Sequence, residues 1–244
     1  MDPFEPWVEA LFERHLRRLT FQEIRKGLAA VSRVYVARRD RLGERVLDGA
    51  GKRAAFAVFY GPLHFLVARE VVRGLCATGP PPTRIVELGA GTGAAGAAWA
   101  LEAGASLEGI ERSGWAVEEA RANLLALGVR GKVTPGDLLR ARLPGAGAGI
   151  LLAYTVNELD EAARSMLRPR LFEAARSGAR VLVIEPIATR LLPWWPDWAA
   201  AFEAAGGRAD EWRFRPTLPE RLRTMDRGAG LDHRELTARS LYLG

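Results

Sequence analysis

A single cysteine, Cys76, stands among the 244 residues. One thiol excludes an internal disulfide and any zinc or iron–sulfur cage built on several thiolates, and it predicts a reducing, cytoplasmic setting. Lysine is scarce as well: Lys26, Lys52 and Lys132 are the only ones among 35 basic residues. No stretch approaches the roughly 18 apolar residues of a membrane span, so no membrane contact is expected. The opening Met-Asp-Pro-Phe-Glu-Pro lacks the basic and apolar regions of a signal peptide, which predicts no export. Histidine is rare too, and neither His15 nor His233 has ligating neighbours in the sequence, so no metal site is expected.

What remains is ordinary globular material, 48% hydrophobic and 26% charged, which excludes a disordered or fibrous chain. The formal charge of +6 is unevenly placed. Up to the end of the Pro-Pro-Pro at 80–82 there are 14 basic and 9 acidic residues, against 21 and 20 after it. Residues 14–53 alone hold 12 basic and 4 acidic side chains, an excess suited to RNA or ribosomal contact. The competing explanation is mutational, because a GC-rich genome also yields an Arg- and Ala-rich chain.

Apolar residues at helical spacing, Trp7, Leu11, Leu16 and Leu19, then Ile24, Leu28, Val31 and Val34, predict helices through 4–78. A second helical run, Ala54 to Leu75, is expected to kink at Gly61-Pro62. The prolines at 80–82 then predict a boundary between a helical cap, residues 1–79, and a second domain, residues 83–244. Beyond it strands are expected at 84–88, 106–111, 132–134, 149–154 and 179–185, with helices at 94–103, 115–127, 161–177 and 198–205. Two further extended segments, 211–215 and 237–243, are separated by a charged loop. This alternation predicts an α/β fold: a Rossmann-like, seven-stranded, mostly parallel sheet with helices on both faces.

Residues Ile85 to Gly96 read I-V-E-L-G-A-G-T-G-A-A-G, placed between a strand and a helix as a nucleotide-binding turn must be. Gly91-x-Gly93-x-x-Gly96 satisfies the dinucleotide fingerprint, and Glu111 follows Gly91 by twenty residues, where a ribose-binding acid belongs. The discriminating residue is Glu87, two positions before Gly89. Its carboxylate would repel a pyrophosphate over this turn and would attract the ammonium of S-adenosylmethionine (SAM). Gly136-Asp137, after the third strand, is placed to accept from an adenine amino group. Together Glu87, Gly89, Gly91, Gly93, Glu111 and Asp137 resemble the motif set of class I SAM-dependent methyltransferases.

That resemblance implies an antiparallel hairpin at the C-terminal end of the sheet and SAM as cofactor. It implies Glu111 on the ribose hydroxyls, Asp137 on the adenine amino group and Leu138 packed on the adenine. Gly89 and Gly91 would lie beneath the methionine part, with the backbone at Ala153-Tyr154 holding its amino acid end. The segment Tyr154-Thr-Val-Asn-Glu-Leu-Asp160 lacks the Asn/Asp-Pro-Pro-aromatic signature of exocyclic-amine and glutamine methylation. Cys76 precedes the whole domain, which removes C5-pyrimidine chemistry. The run Leu151 to Leu159, ending Asn-Glu-Leu, and Val181-Leu-Val-Ile-Glu-Pro186 resemble the Rsm22-like methyltransferases associated with small ribosomal subunits. The resemblance implies a ribosomal RNA or ribosome-associated acceptor. A small-molecule O- or N-methyltransferase and a non-catalytic SAM-binding assembly factor are the alternatives.

Several further residues have two readings. Asn157 and Glu158 either orient and deprotonate an acceptor or simply start a helix, as Asn and Glu often do. Glu185 ends a strand at the ligand-binding edge or is a solvated loop acid. Tyr60 and His64, one helical turn apart, form a lid or pack their helix on the domain. Trp194, Trp195 and Trp198 make an aromatic platform for a flat acceptor or base, or else a hydrophobic lid or dimer patch.

Overall fold

The computed structural model describes residues 2–37, 47–75, 80–187 and 192–244. Cys76, the Gly79 end of the expected linker and positions 38–46 of the basic run lie outside the described residues.

Seven strands form one sheet: β1 (Arg84–Leu88), β2 (Ser106–Glu111), β3 (Gly131–Pro135), β4 (Ala148–Ala153), β5 (Arg180–Glu185), β6 (Arg208–Phe214) and β7 (Leu236–Leu243), in the order β3-β2-β1-β4-β5-β7-β6. β1 pairs in parallel with β2 and β4, β2 with β3, and β4 with β5. β7 then runs antiparallel to both β5 and β6, which gives the C-terminal hairpin. Val181 to Ile184 of β5 are all fully buried. An unbroken apolar run is what a strand covered on both faces requires. The strand order reverses at β1 and β4, and their carboxyl ends therefore border a crevice.

On one face lie α1 (Phe4–Leu16), α2 (Phe21–Ala37), α3 (Ala50–Ala55), α4 (Gly61–Leu75), α5 (Ala94–Ala103) and α6 (Gly114–Leu127). One buried cluster joins Trp7, Phe12, Phe59 and Phe65 of the N-terminal helices to Trp99, Leu107 and Leu124. α5 is alanine-rich and buried from Ala94 to Ala100, so α4 can lie close along it. The other face carries α7 (Glu161–Arg176) and α8 (Trp195–Ala204), whose Leu167, Leu171 and Phe202 meet Ile150 and Val181. A last helix, α9 (Glu220–Gly228), precedes β7.

Two local expectations are corrected and one is given its form. At Gly61-Pro62 the helix is not interrupted: α3 passes through one π-helical turn, Phe56–Tyr60, directly into α4. Pro62 has no N–H to donate, and the register shift absorbs this, the Gly61 N–H reaching back to the Phe56 carbonyl. The resulting helix, Ala50 to Leu75, is long and apolar enough to cross a membrane by length and composition, yet most of it is buried inside the protein. α9 stands where a charged loop was expected. Its sequence, ERLRTMDRG, offers only Leu222 and Met225 as an apolar pair, too few for a periodicity to register. The tryptophans form no surface platform: Trp194, Trp195 and Trp198 are buried against one another, with the Arg239 guanidinium 4.9 Å from the Trp195 ring centroid.

Candidate functional site

The turn after β1 is built on steric necessity. Gly89 has φ +71°, and a Cβ there would sit 2.6 Å from Thr155 Cγ2, so only glycine fits. Thr155 in turn donates its hydroxyl to the Gly89 carbonyl at 3.3 Å, tying the turn to the segment after β4. Gly91 N–H donates to Glu111 Oε2 and Ser113 N–H to Glu111 Oε1, both at 2.8 Å. The carboxylate at the end of β2 is thereby fixed against the glycine turn. Gly93, in the left-handed region, caps the start of α5.

Glu87 is 1% exposed. Its Oε1 accepts from the Gly96 N–H at 3.0 Å, and its Oε2 is buried without a partner. A Cβ at position 96 would lie 2.4 Å from that oxygen. The third glycine of the fingerprint therefore makes room for an acid. Burial pushes the Glu87 carboxyl up to about 8, against the pull of the Gly96 N–H, and the negative Glu111 adds to the rise. A cationic ligand would relieve this cost, whereas a pyrophosphate would increase it. Asp137 follows β3, accepts from the Leu139 N–H at 2.9 Å and caps a short 3-10 turn, Leu138–Arg140. Asn123 of α6 braces the far side of the glycine turn. Its Nδ2 donates to the Thr92 carbonyl at 2.9 Å, while its Oδ1 accepts from Trp7 Nε1 and Arg14, both at 3.2 Å.

One cavity of about 1000 Å³ runs along these strand ends, and its lining takes in the expected cofactor and acceptor residues apart from Gly93 and Glu185. Its outer part is lined by Glu87, Gly89, Gly91, Glu111, Asp137 and Leu138. Its inner part is aromatic, with Phe56, Tyr60 and His64 arriving from the N-terminal helices opposite Tyr154. His64 and Tyr60 thus belong to the cavity and to a packed helix at once. Phe56 meets the His64 ring edge-on at 5.8 Å. Loss of hydration pushes His64 down to about 4, so it is neutral near pH 7. Tyr154, at φ 57°, is the one non-glycine residue with positive φ among the described residues. Its hydroxyl is pushed upward by desolvation and by Glu185.

Asn157 and Glu158 do not start a helix. They lie in a separate 3-10 turn, Val156–Glu158, and α7 begins later under an Asp160 cap that accepts from the Ala163 N–H at 2.8 Å. Glu158 is exposed at the cavity wall, and Asn157 Oδ1 is buried there without a partner. Glu185 is no solvated acid: it is fully buried and accepts from Val156 N–H (2.8 Å) and Asn157 N–H (3.2 Å). It fixes the turn that presents Asn157. Burial pushes its own carboxyl up to about 8.

His233 also lines the cavity, a place that nothing in the sequence led one to expect. Its Nδ1 lies 2.6 Å from Asp226 Oδ1, a carboxylate carried by the helix that sequence patterning missed. No sequence signal links the two, because the pairing depends on α9 and the loop after it.

Neither a protein-family model nor a curated protein matches the sequence of this chain. Solved structures do resemble its fold. A proposed O-methyltransferase from Nostoc punctiforme has a TM-score of 0.52 at 15% identity, over 91% of this chain and 69% of that one. The methyltransferase domain of the bacterial CtHen1-CN has a TM-score of 0.50 at 14% identity, over 75% of this chain and 98% of that one. Strand order, terminal hairpin and flanking helices agree with these likenesses: the chain has the Rossmann-like fold of class I SAM-dependent methyltransferases.

Proposed function

We propose that the chain binds SAM along the outer part of the cavity and directs methyl transfer to an acceptor in the inner part. The observation that carries this is the convergence of Glu87, Glu111 and Asp137, from three successive strand ends, in the lining of one cavity. Glu111, already oriented by Gly91 and Ser113, would take the ribose hydroxyls. Asp137 and Leu138 would hold the adenine. The partnerless Glu87 Oε2 supplies the negative charge that the methionine ammonium needs. When bound, SAM supplies a methyl group activated by its positive sulfur, so the protein's part is chiefly to position the acceptor and exclude water. Asn157, held by Glu185 and carrying an unmet acceptor, orients that partner.

The inner wall favours a small flat acceptor over a ribosomal one. The Rsm22-like reading rests on the Asn-Glu-Leu and Glu-Pro segments and on the basic run 14–53. Of that run, Arg14 is bonded to Glu119, Arg25 to the Gly228 carbonyl, Lys52 to Asp48 and Arg53 to the Leu47 carbonyl. Arg14 and Arg25 tie distant elements together and Lys52 and Arg53 bond locally, which leaves fewer cations to meet phosphates.

Calorimetry with SAM, its demethylated product S-adenosylhomocysteine (SAH) and NAD(H) tests the proposal. SAM and SAH should bind and NAD(H) should not; the opposite result would establish a dinucleotide site instead.

A further inference from the structure

The cavity lining holds two histidines in different states of support. His64 stacks on the Tyr154 ring and is kept neutral by burial, so it serves as wall. His233 is held twice by one carboxylate: Asp226 Oδ1 lies at 2.6 Å from its Nδ1, and Asp226 Oδ2 accepts its backbone N–H at 2.9 Å. Asp226 is itself only 6% exposed. The Phe59 ring lies edge-on to the imidazole at 5.2 Å and blocks sideways movement. The other charges near the ring, Asp232, Arg234 and Glu235, flank it in sequence, and Asp232 is paired with Arg234 at 2.6 Å.

We propose that His233, oriented by Asp226, is the proton acceptor for a small aromatic hydroxyl compound bound between the aromatic wall and β7. The inference rests on the methyl-transfer reading above. A carboxylate on Nδ1 holds the ring proton there, which leaves Nε2 as the basic nitrogen of a ring that lines the cavity, and it offsets the charge the ring gains on protonation. Methyl transfer needs a base only where the nucleophile is poor, as a neutral hydroxyl is. Phe56, Tyr60 and the His64–Tyr154 pair supply flat apolar surface, which selects an aromatic carrier for that hydroxyl. The acceptor oxygen bonds to the methyl carbon as the carbon–sulfur bond breaks, its electron pair staying on sulfur to give SAH. The hydroxyl proton passes to His233 Nε2 and then to water. Asp226 is a positioning residue in this scheme.

The test uses SAH-loaded protein and 4-nitrocatechol, whose absorbance reports its ionisation, at a pH below the free compound's own transition. The wild type should bind it in the ionised form. His233→Asn keeps an amide N–H for Asp226 but removes Nε2; it should bind SAH as the wild type does and leave the nitrocatechol neutral. With labelled SAM and catechol, the same variant should lose roughly 10²–10⁴-fold in kcat with little change in KM. Asp226→Asn should move the pH profile of kcat as well as its height. If His233→Asn ionises and methylates the probe like the wild type, the pair is only a loop brace and the inference fails. A wild type that binds SAH yet neither ionises nor methylates the probe overturns the aromatic hydroxyl acceptor. A wild type that binds no SAH overturns the methyl-transfer reading itself.

Discussion

His64 and Tyr154 lie face to face, their ring centroids 4.0 Å apart and their planes 20° from parallel. One ring comes from an N-terminal helix and the other from the loop after β4, so the stack closes the inner cavity between two distant parts of the chain. The unfolded chain takes up a proton at the ordinary histidine value of 6.5, whereas the folded chain resists until about 4. Stability from this group is therefore lost as pH falls from 6.5 towards 4. His64→Phe preserves an aromatic partner and removes the titration. Urea midpoints at neutral and acid pH should separate less in this variant than in the wild type.

Glu87 has the opposite sign. Its folded value of about 8 exceeds the ordinary 4.5, so the unfolded chain loses its proton first, and the contribution to stability falls as pH rises between the two. Binding of a cationic ligand should gain over the same interval, because the ionised acid is the form it pairs with. SAM affinity measured from pH 6.5 to 9 should rise in the wild type relative to Glu87→Gln, with a difference of tenfold or more at the alkaline end, about 1.4 kcal/mol. Parallel curves for the two proteins would remove Glu87 from the site.

Replacing Glu111 by Ala strips two backbone donors, Gly91 N–H and Ser113 N–H, of their acceptor and loosens the glycine turn. SAH affinity should fall by at least tenfold in a calorimetric titration. An unchanged affinity would mean that the ribose is held by another residue.

Gly89→Ala meets both a positive φ of +71° and the Thr155 side chain. Strain and overlap together should destabilise the protein by about 2–4 kcal/mol. Adding Thr155→Ala should recover only the overlap component, which thermal unfolding of the single and double variants can resolve.

Much of this architecture was legible in the sequence because each signal was local. Ala94–Ala103 and Ser106–Glu111 carry their own periodicity and turn residues, and both appear with those bounds. The outer wall was legible for the same reason, since glycine spacing and strand-end acids lie within a few residues of one another. Of the inner wall, Tyr60, His64 and Tyr154 were legible and the rest was not. His233 and Asp226 become partners only through α9, whose two apolar residues are outvoted by charge. The roles of Glu185 and Asn157 follow from a hydrogen bond across 28 positions, which no window of residues can contain. Pro62 signalled a local disturbance through its lost N–H, but not the form it takes, a change of helical register.

The side chain of Asn123 serves the glycine turn with one end and the first helix with the other. Any ligand that tightens the Thr92 segment must also tighten the seating of α1, and any loss of α1 must be felt by the ligand. The two effects are equal in free energy by thermodynamic necessity. An N-terminal helix that touches no substrate is in this way a term in the binding constant: the factor by which SAH protects α1 from hydrogen exchange should match the factor by which removing α1 weakens SAH.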